Sequence, residues 1–181
     1  MEEEERRANM AGAFVLAVAD RLRDETEAAV GHTGAAAAAL VTIAQFPGRS
    51  VEFLRRAVGL SHPAAVRVVD RLVEQGLVRR RAAGRGPAVA LTATPAGRRA
   101  GRRILDVRRG VIAESLPDLS SDEAAALSAI LERALEGLAG TPGTTICRLC
   151  DMGRCRRVDC PVVEEQIALG QPPPDYVPVE E

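Results

Sequence analysis

Between Ser50 and Pro95 the chain runs SVEFLRRAVGLSHPAAVRVVDRLVEQGLVRRRAAGRGPAVALTATP. Ser50 is placed to cap a short helix through Val58, which Gly59 terminates. Ser61 caps the next helix, and Pro63 is tolerated in its first turn, where a missing N–H costs nothing. Along that helix Ala65, Val68, Val69 and Leu72 recur at i, i+3, i+4 and i+7 and form one buried stripe. His62, Pro63, Val66, Arg67 and Asp70 occupy the opposite side, up to a stop at Gly76. Two short runs then flank Ala82-Ala83-Gly84-Arg85-Gly86-Pro87, the pattern of a β-hairpin with a basic tip. Two short helices at a tight turn followed by a basic hairpin describe a winged helix-turn-helix.

The flanks are helical. Met10 to Val30 carries an apolar stripe of Phe14, Ala17, Val18, Leu22, Ala28 and Ala29, and Gly31 ends it. Thr33 to Phe46 is apolar nearly all round, so it is expected to be buried on most sides, with Pro47-Gly48 as its stop. Thr94-Pro95 opens a fifth helix to about Ser115, by cap and N1 proline. Ser120 or Ser121 with Glu123 begins a sixth, in which Leu127, Ile130, Leu131, Ala134, Leu135 and Leu138 repeat at helical spacing as far as Ala139. The fold class expected is therefore mainly α with a small β-hairpin wing. Residues 1–46 supply N-terminal dimerisation helices, 47–94 the DNA-binding domain and 95–140 C-terminal dimerisation helices. Residues 141–168 form a cysteine-rich metal-binding segment with a short helix after it, and 169–181 a flexible, Pro-rich tail.

Composition agrees with packed helices, since only 2% of residues are aromatic against 46% hydrophobic, which implies an aliphatic core. Net charge is −1, yet between Pro47 and Arg109 fifteen arginines face only four acids, Glu52, Asp70, Glu74 and Asp106. A near-neutral chain with one strongly basic block points to a polyanion, double-stranded DNA first, rather than to a solvated helix surface. The longest apolar run, 35–44, is shorter than the roughly 20 residues of a membrane span, and no cationic-then-apolar leader opens the chain. A cytoplasmic protein with no membrane partner is expected.

The stretch AVGLSHPAAVRVVDRLVEQGLVRRR, the wing around Arg85 and LTATPAGRRA resemble the MarR family of transcriptional regulators, and the order of the surrounding helices is similar over roughly the first 140 residues. The resemblance implies a homodimer with interlaced first and last helices, the fourth helix of each subunit in a major groove and its wing near a minor groove. It also implies a small-molecule effector that nothing in the residues identifies. On the residues, Ser61 and the amides after it anchor phosphate. Arg67 is able to fork onto a guanine and Val66 to meet a thymine methyl. His62 is either a base contact or only a helix-end residue. Arg85 suits the minor groove, and Arg71, Arg79 and Arg80 suit phosphates. The competing account pairs Arg67 and Arg71 with Asp70 and Glu74 at i+3 spacing. Two departures stand out: the family often has a small polar residue where Val66 stands, and AAGRGP lacks the Asp that usually braces the wing arginine.

All four cysteines lie in TTICRLCDMGRCRRVDCP, at Cys147, Cys150, Cys155 and Cys160, a C-x2-C-x4-C-x4-C spacing. Four thiolates suit one tetrahedral zinc, and Arg148, Arg154, Arg156 and Arg157 favour the thiolate form, although the two halves are closer than in a usual zinc ribbon. An iron-sulfur cluster, a metal-free redox switch controlling DNA binding, and uninvolved thiols remain as alternatives. Catalysis finds little support. His32 and His62 are the only histidines and no Gly-rich phosphate loop follows a strand, so a thiol-disulfide enzyme is the lesser reading.

Overall fold

The computed structural model describes residues 2–32, 34–82, 89–139, 146–154 and 160–169, apart from the side chain of Cys147. The Pro-rich tail and the hairpin tip with Arg85 lie outside the described residues. In chain order the elements are α1 (Glu2–Val30), α2 (Gly34–Gln45), α3 (Val51–Val58), α4 (His62–Glu74), β1 (Val78–Ala82), β2 (Val89–Ala93), α5 (Pro95–Ser115), α6 (Ser121–Ala139), a 3-10 turn at Ile146–Leu149, and α7 (Pro161–Ala168). The mainly helical chain with one antiparallel hairpin is the winged helix-turn-helix expected.

α2 is the hub. Its Ala-rich sequence buries seven consecutive residues, Ala37 to Ile43, and α3, α4, α5 and β2 pack around it. Leu40, Leu54, Leu72, Leu91 and Ile104 are completely enclosed, each side chain contributing about 1.5–3 kcal/mol by burial. The α2–α3 connection joins the hairpin from the other side: Gly48 N donates to Leu91 O at 2.7 Å and Leu91 N to Arg49 O at 2.9 Å. The wing is thereby tied to the helix-turn-helix.

Caps set the helix starts. Ser50 accepts from Phe53 N at 3.2 Å and Ser61 from Ala64 N at 3.4 Å. Gly59 ends α3 at φ 72°, a left-handed cap that turns the chain into α4. At α6, Ser120 N and Oγ donate to Glu123 Oε2 at 2.9 and 2.7 Å, a capping box.

α1 begins at Glu2 and not at Met10. Glu2 to Asn9 has no apolar stripe to announce a helix. Four glutamates in the first turn complement the helix dipole, and Arg6 and Arg7 pair with Glu3 one turn on.

The start of α5 is locked to the end of α4. Thr94 Oγ1 donates to Gly76 O at 2.7 Å and accepts from Gly97 N at 3.0 Å, while Thr94 N donates to Leu77 O at 2.9 Å. A Cβ on Gly97 would collide with the Leu77 carbonyl, and backbone cannot swing aside as a side chain does. Gly97→Ala is accordingly expected to destabilise the fold by about 2–3 kcal/mol, read by urea unfolding followed by circular dichroism; an unchanged midpoint would show that α5 shifts freely.

Candidate nucleic-acid interface

The capped start of α4 puts Ser61, His62, Pro63 and Arg67 on an exposed face, with Val66 half-buried beside them. The opposite face buries Ala65, Val69 and Leu72. This is the division its periodicity predicts. The competing i+3 pairing is not what forms. Asp70 instead reaches across to Arg80 of β1 at 2.7 Å, bracing the wing against α4. Among the described residues neither Arg67 nor Arg71 has an ion-pair partner, so both guanidiniums keep their donors available. Of the nine candidate DNA-binding residues, Ser61, His62, Pro63, Val66, Arg67 and Arg71 share α4 and its cap, and Arg79 and Arg80 share β1. Arg85 lies outside the described residues.

Strand alternation separates the β1 arginines. Arg80 faces α4 through its ion pair, while Arg79 and Arg81 line an open groove of about 720 Å³ with Val73, Thr94 and Arg99. Arg81 and Arg99 were not singled out by motif; the period of two in β1 and the hydrogen bonds of Thr94 bring them beside Arg79. Arg56 and Arg55 are instead spent on Glu52, at 2.9 and 2.6 Å. Their hydrogen bonds hold the Glu52 carboxyl below the usual carboxylate range.

His32, at the break between α1 and α2, is only 6% exposed. Burial, and secondarily the positive charge of Arg71 on the reading helix, push its pKa below the ordinary histidine value. Because the unfolded chain then takes up the proton first, the contribution of neutral His32 is fully present above about pH 6.5 and is lost as pH falls. Thermal melts between pH 7.5 and 5.5 should show a declining midpoint for the wild type and a shallower decline for His32→Gln. Equal slopes would remove His32 from the account.

The cysteine segment is only partly described. Cys150 is half-buried and Cys160 is buried at the cap of α7, both as free thiols. Cys155 and the side chain of Cys147 lie outside the described residues. Among the described residues no three His, Cys, Asp or Glu side chains gather around one point, and no single helix is long and apolar enough to cross a membrane.

Comparison with known proteins agrees with this geometry. The MarR family model matches residues 30–86, and no curated protein sequence matches. Among solved structures, YusO of Bacillus subtilis superposes with a TM-score of 0.64 at 20% identity, covering 74% of this chain and 96% of its own. Apo MarR of Escherichia coli gives 0.59 at 21% identity, covering 71% and 96%. The MarR family protein Rv2887 of Mycobacterium tuberculosis, in complex with p-aminosalicylic acid, gives 0.51 at 28% identity, covering 68% and 96%. With the matched segment spanning α2, α3, α4 and β1, and the same architecture in these solved structures, the chain belongs to the MarR family of DNA-binding winged helix-turn-helix transcriptional regulators.

Proposed function

We propose that the chain is a homodimeric repressor that places α4 of each subunit in successive major grooves of an operator, with a zinc held by its four cysteines. The observation that carries the DNA reading is the exposed α4 face, where Arg67 and Arg71 stay unpaired while Asp70 is drawn off by Arg80. Arg67 reads a guanine edge, Val66 a thymine methyl, Arg71 and Arg79 hold phosphates, and Arg85 enters the minor groove. Dimerisation is supported by the uncovered apolar residues of α1 and α6, including Phe14, Leu16, Ile130 and Leu131. An aromatic carboxylic acid is the effector class, supported by the p-aminosalicylic acid in the Rv2887 complex. The zinc is supported by the donor set alone: four cysteines in fourteen residues, Cys147 to Cys160.

Selection from random duplexes with anaerobically purified protein tests both parts. The expected outcome is an enriched palindromic site bound by two chains, and about one zinc per chain by elemental analysis. No enriched site would overturn the reading of α4. Iron with visible absorption would replace zinc by a cluster, and metal-free protein would leave a thiol switch.

A further inference from the structure

The segment carrying the cysteines does not hang free after α6. It is fastened to the protein at two places. On one side α7 folds back on the end of α6, where Cys160, Val162 and Val163 bury with Ala139 against Leu135 and Ile146. On the other, the 3-10 turn packs on α2 and α3, with Leu149 joining the main core. The side chain of Gln45, the last residue of α2, closes this second attachment. Its Nε2 donates to Cys150 O at 2.9 Å, and its Oε1 accepts from Met152 N at 2.7 Å. Both ends of one amide are thus used on the backbone around Cys150. Asp151 then folds the following turn, accepting from Gly153 N at 3.0 Å and, through its carbonyl, from Arg154 N at 3.1 Å.

The position of Gln45 matters for DNA. One residue on, Phe46 stacks edge-on against Phe53 of α3, ring centroids 5.6 Å apart, and Arg49 lies over the same Phe53 ring at 5.3 Å. α3 in turn packs on α4. A force on the Cys150 turn is therefore delivered to the α2–α3 corner that supports the reading helix, while Cys160 belongs to the attachment on α6. Any ligand that binds both cysteines must draw these two attachments together or hold them at a set distance.

We propose that Gln45 is the positioning residue through which zinc occupancy of the cysteine segment sets the orientation of the reading helix. The cysteine segment is then a strap between the α6 arm and the helix-turn-helix, and zinc sets its length. This inference rests on the reading of the cysteines as a zinc site. Gln45 touches neither DNA nor metal, and acts only through the Cys150–Met152 backbone.

The test uses the full chain, with operator affinity measured by fluorescence anisotropy after zinc loading and after chelation. Zinc content and the exchange rate of the Met152 amide are followed in parallel. The wild type is expected to change affinity about tenfold or more between the two states. Gln45→Ala should bind the same zinc, lose Met152 protection and compress the change to less than about threefold. Gln45→Glu keeps the acceptor for Met152 N but loses the donor to Cys150 O; it should fall between, and it carries the test if the alanine variant does not fold. A full affinity change in folded Gln45→Ala or Gln45→Glu overturns the inference. So does a wild type that binds zinc without changing affinity, in which case the zinc site itself stands. A wild type that binds no zinc overturns both.

Discussion

Arg67→Ala should lower affinity for the selected operator by about thirtyfold at least, while leaving binding to unrelated duplex nearly unchanged. Each bidentate contact to a guanine contributes about 1–3 kcal/mol of discrimination, and a dimer makes the contact in both half-sites. The two together give about 2–6 kcal/mol, with about 1.4 kcal/mol per tenfold. Arg67 lies on the exposed face of a helix whose opposite stripe is in the core, so its removal costs little stability, and the melting temperature serves as the control. Arg67→Lys sharpens the test, because an ammonium keeps the charge but not the planar fork. It should restore general affinity without restoring discrimination. Arg79→Ala, on the groove side of β1, should instead weaken all sequences alike and reduce the salt dependence by about one ion per subunit. If Arg67→Ala weakens every sequence equally, Arg67 is a phosphate contact and the base-reading role belongs elsewhere on α4.

How far these roles were readable beforehand depended on the range of the interaction. Caps at Ser50, Ser61 and Thr94, the stripe of α4 and the hairpin are local, so spacing and residue type suffice for them. The start of α1 was hidden because Glu2 to Asn9 forms a helix through charge placement and not through an apolar face. The choice of Asp70 for Arg80 over Arg67 was hidden because a cross-element ion pair outcompetes an i+3 pair only once β1 lies beside α4. Gln45 gave no signal at all. Its partners are 105 and 107 residues away, and a polar residue at a helix end is ordinarily a solvated one. The stripes of α1 and α6 looked like core stripes, yet within one chain they are covered very differently from that of α4.

That difference leads to the prediction with the largest consequence. α6 is nineteen residues long and buries only Ala139 among its described side chains, and α1, at twenty-nine residues, buries only Thr26. Leu16 is 68% exposed and Ile130 54%, and a helix of this length is marginal in water without a packed face. An apolar face of this kind is satisfied by a second copy presenting the same two helices, as closed two-fold symmetry requires. Phe14→Glu combined with Leu131→Glu should therefore convert a dimer into a monomer in sedimentation velocity. Losing the second reading helix removes the effective concentration that links the half-sites, so operator affinity should fall by about a hundredfold or more although Arg67 and Arg71 are untouched. Because α1 also packs along α5, where Arg21 pairs with Glu114, the charges are placed away from that contact, and the monomer should keep its helical signal at low temperature. A doubly charged variant that sediments as a dimer would show that the pairing surface lies elsewhere. One that becomes a monomer yet binds the operator with unchanged affinity would show that a single winged helix-turn-helix suffices for recognition.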